Sequence, residues 1–366
     1  MSHFGIDYRP ALWNRAGIAR YVRESVRALA EIDQENRYSL YAYFWKADAV
    51  PPPDLPWRFT LHRRRVPGRL IRFFERYLGH SVERILGGDL DAMHLTDYIY
   101  PRVRPATPLI VTLYDLSFER DTRYHGEEGA RILRERVRGI VPRAGRILTI
   151  SEASKIDILE RYRLPEEKVH VARPGVDHIL RGEELLPEGL PSELILAVGT
   201  LEPRKNHLRL LEAHARLEDA PPLVIVGARG WEDDDIIGAI RSAEPGRVIW
   251  LENTTEPELR ALYRRALFLA YPSLDEGFGL PAAEALALGC PVLTSDRPAL
   301  LEATGGHALT VDPGSISALT DGLSHLLEHP PTTEARDSAA EWAKTLTWRR
   351  CAESQLALYR SLAASR

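Results

Sequence analysis

Short, continuously apolar runs recur through the second half of the chain, at 194–198, 223–226, 248–251, 267–271 and 291–294. Each is too short for a helix and does not alternate with polar residues, which is how strands buried on both faces read. Between them lie stretches of helical period at 208–217 and 256–266. Strand and helix in alternation predict a parallel sheet with helices on both faces, an α/β fold. The first half repeats the theme with strands at 109–113, 146–150 and 168–171, and a long helix at 15–29 behind a loop containing Gly17. From about 178 to 192 the pattern lapses into Arg181-Gly182-Glu183-Glu184-Leu185-Leu186-Pro187-Glu188-Gly189-Leu190-Pro191. This polar, Pro- and Gly-punctuated stretch is expected to link a domain at 1–180 to a second at 190–345. Neither a repeat of solenoid period nor a low-complexity tract interrupts the picture. Open parallel sheets bind ligands at the carboxyl ends of their strands, beside helix N-termini, so two such sheets predict a site between them.

Composition narrows the class. The 366 residues are 44% hydrophobic and 27% charged, ordinary for a globular protein and long enough for two domains. The formal charge of −4 argues against a chain-wide nucleic-acid binder but leaves local basic patches open. Cys290 and Cys351 cannot build a disulfide framework and sit in no metal-binding spacing, so a reducing compartment fits best. The N-terminus lacks a basic region followed by an apolar one, and no apolar run reaches a membrane span of roughly 18 residues. The expectation is a soluble, cytoplasmic protein.

The stretch richest in chemistry is Tyr271-Pro272-Ser273-Leu274-Asp275-Glu276-Gly277-Phe278-Gly279-Leu280-Pro281-Ala282-Ala283-Glu284. A strand ends near Pro272, Pro281 suits the first turn of a helix, and Gly289 closes that helix. Gly277 and Gly279 let backbone approach a ligand, and amides at the helix start favour a negative group. Glu276 in the loop and Glu284, expected in the first turn, can accept paired sugar hydroxyls; read alone, both could simply serve the helix N-terminus. A second cluster, Gly199-Thr200-Leu201-Glu202-Pro203-Arg204-Lys205-Asn206, follows the strand at 194–198. There Arg204 and Lys205 can neutralise a diphosphate, or form a solvated turn.

With these two clusters the chain resembles the retaining glycosyltransferases of the GT-B fold, in particular glycosyltransferase family 4. The resemblance runs over nearly the whole chain. It takes in Gly17-Ile18-Ala19-Arg20-Tyr21, Tyr114-Asp115-Leu116-Ser117, Thr149-Ile150-Ser151-Glu152-Ala153-Ser154, Pro174-Gly175-Val176-Asp177 and both strand-end clusters. It implies two Rossmann-like, doubly wound domains facing a central cleft. Residues 346–366 then become a terminal helix crossing back onto the N-terminal domain.

Carried over by position, the resemblance implies that Glu276, with backbone amides at Gly277, Phe278, Gly279 and Leu280, holds donor-sugar hydroxyls, and that Glu284 holds the ribose. Arg204 and Lys205 bind the diphosphate, Lys205 as the essential cation. Gly17 lets its loop approach the phosphates; Thr200, Tyr114 and Ser151 line the donor site. No metal and no cofactor are implied, the nucleotide sugar being a co-substrate. Where the family often has His, this chain has Tyr114, so donor contacts near C6 are expected to differ and to admit a 6-deoxy sugar. Asp115 reads equally as a site residue or a turn residue.

Other stretches leave two readings open. Residues 61–84 hold seven arginines against Glu75 and Glu83, interleaved with apolar residues. They suit a peripheral contact with an anionic membrane surface or a solvated helix whose arginines cover apolar surface. His94 and Asp97 follow a strand and either face an acceptor or, for His94, pack in the core. The loop around His125 carries no assigned chemistry, and Gly227-Ala228-Arg229-Gly230 reads as a nucleotide loop or as a tight strand-end turn. The function expected is transfer of a hexose, mannose or rhamnose first, from a nucleotide-diphosphate sugar to a glycan or lipid-linked acceptor, with retained configuration and without metal. GDP-mannose leads as donor, in surface polysaccharide biosynthesis. The rivals are a nucleotide-sugar 2-epimerase of the same architecture and a catalytically silent sugar-nucleotide-binding protein.

Overall fold

A computed structural model describes residues 1–13, 17–44, 54–67, 69–70, 73 and 80–364. The first sheet holds β1 (His3–Asp7), β2 (Arg37–Phe44), β3 (Phe59–Arg65), β4 (Ala92–Leu95), β5 (Leu109–Thr112), β6 (Arg146–Thr149) and β7 (Val169–Val171). Its spatial order is β3-β2-β1-β4-β5-β6-β7. The second holds β8 (Ile195–Val198), β9 (Leu223–Val226), β10 (Val248–Leu251), β11 (Phe268–Tyr271), β12 (Val292–Ser295) and β13 (Leu309–Val311), in the order β10-β9-β8-β11-β12-β13. All the described pairings are parallel. Both sheets reverse direction of growth beside their first strand, the arrangement of two Rossmann-like folds, each with its own switch point.

The five apolar runs of the second half are β8 to β12; β9, β11 and β12 are buried throughout, whereas β10, at the edge of the sheet, is only half-buried. The first sheet extends further than its apolar pattern indicated. Its edge strand β3, Phe-Thr-Leu-His-Arg-Arg-Arg, has few apolar positions because one side pairs with no strand among the described residues. The long helix runs Ile18–Ile32, three residues later than its period implied, because Gly17 at φ 56° breaks the chain just before it. Residues 14–16 lie outside the described set.

Two compact units result. Unit 1 comprises Met1–Leu116, Arg131–Gly175 and Trp348–Arg366; unit 2 comprises Ser117–Ala130 and Val176–Thr347. The chain therefore passes into unit 2 at Val176, ahead of the stretch at 178–192 expected to be the linker. That stretch is fastened to unit 2: Arg260 Nε donates to the Ile179 carbonyl at 2.6 Å, Leu185 N to the Pro257 carbonyl at 3.2 Å, and Arg264 pairs with Glu184 at 2.6 Å. Ser117–Ala130, expected within the N-terminal domain, also groups with unit 2.

In unit 1 the C-terminal helix Trp348–Ala364 lies against the helix Ile18–Ile32 and the sheet. Trp348 meets Tyr21 edge-on at 5.8 Å between ring centres, and Tyr359 meets Phe4 at 5.1 Å. Gln355 Nε2 donates to the Tyr21 hydroxyl at 3.1 Å, which donates to the Ala172 carbonyl at 3.0 Å. Burying Trp348, Leu356, Tyr359 and Leu362 is worth roughly 2 kcal/mol each, enough to hold this terminal element in place. Cys290 and Cys351 are buried thiols.

The basic stretch at 61–84 is described only in part, since residues 68, 71–72 and 74–79 lie outside the described set. Arg63, Arg64 and Arg65 end the edge strand β3, and Leu70, Phe73 and Trp57 are exposed. Among the described residues no helix is long and apolar enough to cross a membrane.

Candidate active site

At the carboxyl end of β8 the chain makes a tight turn and a short 3-10 helix, Pro203–Lys205. The turn presses on its neighbour after β9: a Cβ on Gly227 would stand 1.9 Å from the Gly199 carbonyl oxygen, so only glycine fits. Leu201 N donates to the Ala228 carbonyl at 3.0 Å. Gly227-Ala228-Arg229-Gly230 is therefore a strand-end turn, tightened by close backbone approach. Asn206 turns the chain in the left-handed region (φ 63°) and donates to the Pro272 and Pro313 carbonyls at 3.0 and 2.8 Å. The loop after β8 is thereby pinned to the loop after β11.

These pins bring the two sequence clusters together. Lys205 Nζ donates to Glu276 Oε1 at 2.5 Å and to the Tyr271 oxygen at 2.9 Å, while the Tyr271 hydroxyl donates to the same Oε1 at 2.7 Å. Arg204 Nη1 donates to Glu276 Oε2 at 2.9 Å and to the Asp275 carbonyl at 2.8 Å; its Nη2 reaches Glu202 at 2.8 Å. Burial alone would raise the Glu276 carboxyl, but the charges of Lys205 and Arg204, with hydrogen bonds from Lys205 and Tyr271, hold it down at about 2. Its folded value lies below the unfolded one, so the pairing is fully stabilising above about pH 4.5 and is lost only as pH falls through about 2. The side chains of Glu276, Lys205 and Arg204 are 8%, 11% and 16% exposed: screened from bulk water, yet reachable.

The helix Leu280–Ala287 follows directly. Its N-cap is Gly279 in the left-handed region (φ 111°), where a Cβ would also stand 2.5 Å from Leu300 Cδ2. Phe278 is 2% exposed and anchors the loop, leaving Gly277, Gly279 and Leu280 to present backbone at the positive end of the helix. Glu284 sits in the second turn rather than the first. There it accepts from the Tyr263 hydroxyl at 3.1 Å and shares 2.9 Å with His178 Nε2, and it is 2% exposed. Thr200, half-buried, takes His207 Nε2 on its carbonyl at 3.3 Å; burial lowers His207 to about 4.

In unit 1 the sequence-derived residues fare differently. His94 is a core residue: its Nδ1 lies 2.6 Å from the Tyr359 hydroxyl, its Nε2 2.6 Å from Thr112 Oγ1, and burial pulls it down to about 3. Both ring nitrogens are committed, so the packed reading replaces the acceptor-facing one. Tyr114 is 4% exposed; its ring meets Tyr21 edge-on at 5.6 Å and its hydroxyl donates to the Thr96 carbonyl at 3.0 Å. It packs in the core of unit 1. Ser151 is fully buried and caps the helix Glu152–Tyr162, accepting from Ser154 N at 3.0 Å.

Gly17 is exposed at the start of its helix. Asp115 is half-buried, its carbonyl accepting from the Tyr98 hydroxyl at 3.2 Å. Asp97 stands at the end of β4, beside the Asp7–Arg9 pair at the switch point of the first sheet. Its Oδ1 accepts from Tyr98 N at 2.7 Å, while Oδ2 is buried with no hydrogen-bond partner among the described residues, as is the Tyr100 hydroxyl. Burial and the charge of Asp7 raise Asp97 to about 6 against the pull of Arg9.

Three site residues went unassigned in the sequence. Tyr271 looks there like the last residue of an apolar strand, and His178 follows the Pro-Gly-Val-Asp turn without a motif of its own. Arg120 lies in a part of the chain assigned no chemistry. Among the described residues no three His, Cys, Asp or Glu side chains gather as a metal site.

Residues 15–179 match the sequence model of Glycosyltransferase Family 4, and residues 184–345 that of Glycosyl transferases group 1. The chain is 28% identical to O-antigen chain mannosyltransferase B of Escherichia coli, over 96% of this chain and 98% of that protein. It is 29% identical to O-antigen chain mannosyltransferase RfbU of Salmonella typhimurium, over 52% and 53%. Among solved structures, sucrose-phosphate synthase from Thermosynechococcus elongatus superposes with a TM-score of 0.75 at 19% identity, covering all of both chains, which shows a shared GT-B fold. With both halves matched in order and the two motif clusters joined at one set of strand ends, the chain belongs to the family 4 glycosyltransferases of the GT-B fold.

Proposed function

We propose that this enzyme is a retaining mannosyltransferase that moves mannose from GDP-mannose to a hydroxyl of a glycan or lipid-linked acceptor, as a step in surface polysaccharide assembly. The observation that carries the reading is the Lys205–Glu276–Arg204 network beside the N-terminus of the helix Leu280–Ala287. Mannose is favoured by the similarity to the two mannosyltransferases, one of them along nearly its full length.

The chemistry follows from the charges. Arg204 and Lys205 are paired with carboxylates, so a diphosphate must exchange with Glu276 for them, and the released carboxylate is left beside the sugar as a hydroxyl acceptor. The helix amides and the two cations stabilise negative charge as it grows on the departing diphosphate, in the role a metal plays elsewhere. Glu276 is already engaged by Lys205, Arg204 and Tyr271, which suits a hydroxyl holder better than a nucleophile. The expected course is therefore front-face. The C1–O bond to the diphosphate breaks, the acceptor oxygen bonds to C1 on the same face, and its proton passes to the leaving phosphate oxygen. Glu284, tied to His178 and Tyr263, would hold the ribose. In unit 1, Asp97 with its unmatched Oδ2 is the group suited to an acceptor hydroxyl.

A panel of GDP-, UDP- and dTDP-sugars, GDP-rhamnose included, tests this by slow hydrolysis, transfer and the anomeric configuration of the product. Mannose transfer in the α configuration is expected. Release of an epimerised sugar nucleotide, or binding without hydrolysis or transfer, would replace the reading by the epimerase or the silent binder. A product of inverted configuration would end the front-face course. The exposed Trp57, Leu70 and Phe73, close in sequence to Arg63–Arg65, support peripheral contact with an anionic membrane. Flotation with anionic liposomes at low salt checks it, and protein left wholly at the bottom of the gradient removes it.

A further inference from the structure

Ser117–Ala130 comes from the N-terminal half of the sequence yet forms part of unit 2. It consists of a helical turn, Ser117–Arg120, a 3-10 turn, Thr122–Tyr124, and the start of the helix Glu127–Ile140. At one end Gly126 lies under Trp231, in the turn after β9: a Cβ there would stand 3.3 Å from the indole ring. In the middle, Thr122–Tyr124 packs on Pro203–Lys205, the turn that carries both site cations. At the other end Arg120 Nη1 donates to Asp275 Oδ1 at 2.5 Å, in the loop after β11. The segment thus crosses the strand ends of β9, β8 and β11 in that order, and these are the strand ends where the donor site is built.

Asp275 is the residue next to Glu276, and its side chain is only 7% exposed. A carboxylate buried that deeply requires a partner charge. Arg204 and Lys205 both reach Glu276, and Arg204 also takes Glu202. Arg120 supplies a charge to Asp275. The two ends of Asp275 are then fixed separately, its carboxylate by Arg120 and its carbonyl by Arg204 Nη1, the same nitrogen that reaches Glu276 Oε2.

We propose that Arg120 is a positioning residue for the reaction: by holding Asp275 it sets the direction of the Glu276 carboxylate, so that recognition of the donor's sugar depends on the Arg120–Asp275 pair while recognition of its diphosphate does not. The inference rests on the reading above that Glu276 takes the sugar and Arg204 and Lys205 take the diphosphate. A shift of the carboxylate by about an ångström degrades oriented contacts by one to two orders of magnitude, which sets the scale.

The test compares GDP with GDP-mannose on the full chain, by calorimetry and by steady-state transfer, in R120A, R120K, R120D and the reversed pair R120D/D275R. For R120A, GDP affinity is expected to stay within about threefold of wild type, while kcat/KM for GDP-mannose falls at least ~10-fold. R120K should recover part of the loss, and the reversed pair should exceed R120D alone by several-fold. Equal weakening of GDP and GDP-mannose in R120A would overturn the proposal in favour of a general structural role. Unchanged GDP-mannose kinetics in a folded R120A would overturn it outright. Wild-type protein that binds neither GDP nor any sugar nucleotide of the panel would overturn the donor-site reading itself, and this inference with it.

Discussion

The carboxyl ends of the two sheets look alike in sequence, each crowded with polar residues after a buried strand, yet the structure uses them in opposite ways. After β8 and β11 the charged groups pair with one another across loops, and in the proposed function a diphosphate takes over those pairings. In β4 and after β5 and β6, three polar side chains are committed to the protein: His94 to Tyr359 and Thr112, Tyr114 to Thr96, Ser151 to its own helix. A polar residue at a strand end is thus no evidence for a site until its partners are known. The distinguishing mark is whether those partners are exchangeable ions or fixed backbone and core groups. Asp97 is a charged exception in unit 1, because half of its carboxylate is left without a hydrogen-bond partner among the described residues.

The sharpest way to break this contrast is to change one residue on each side. Replacing Lys205 or Glu276 by Ala should cut transfer by about 10³-fold, the scale of losing a main electrostatic contact to a developing charge, measured as kcat/KM for the donor. Near-normal turnover in both variants would dissolve the site. His94→Ala should do the reverse. It leaves the Tyr359 and Thr112 hydroxyls short of partners and opens a cavity, costing about 3 kcal/mol by denaturant unfolding, with kcat of the folded fraction unchanged. A selective loss of acceptor turnover would return His94 to the site.

Asp97 offers a subtler test. Its folded value, about 6, is raised above the unfolded one, so folding disfavours its ionised form. Stability is therefore lost as pH rises from about 4 through 6 and stays lower above that. Asp97→Asn should be more stable than wild type by about 2 kcal/mol at pH 8, with the gap closing toward pH 4, and should weaken acceptor use. A gap that is independent of pH would deny Asp97 its strained charge. Ser151→Ala should cost only about 1 kcal/mol, the value of a helix cap, and leave donor KM alone; a raised donor KM would put Ser151 back at the ligand.

Much of this was legible in the sequence because it was written in local chemistry. The strands β8 to β12 announce themselves by unbroken apolar runs. Glu276, Lys205 and Arg204 stand in loops whose glycines and prolines mark the ends of strands and the starts of helices. What could not be read depends on distant partners. Nothing near His94 in the sequence shows that Tyr359, 265 residues later, will take its Nδ1. Nothing near Arg120 shows that it will face Asp275 across 155 residues. Tyr271 was hidden for another reason: a tyrosine ending an apolar strand packs its ring like its neighbours, and only its hydroxyl reveals the second task. The edge strand β3 was missed because it carries three arginines where a buried strand would carry apolar residues.

The return of the terminal helix Trp348–Ala364 to unit 1 has a consequence for how the protein is made. The first sheet is complete once β7 has left the ribosome, but the helix that covers Tyr21 and Phe4 is synthesised only after the whole of the second sheet. At about 5–20 residues per second, that apolar face waits on the order of 10–40 s for its cover. A nascent chain exposed that long is a natural client for chaperones. Halting translation before residue 348 should leave unit 1 with an open, aggregation-prone surface even though all seven of its strands are present.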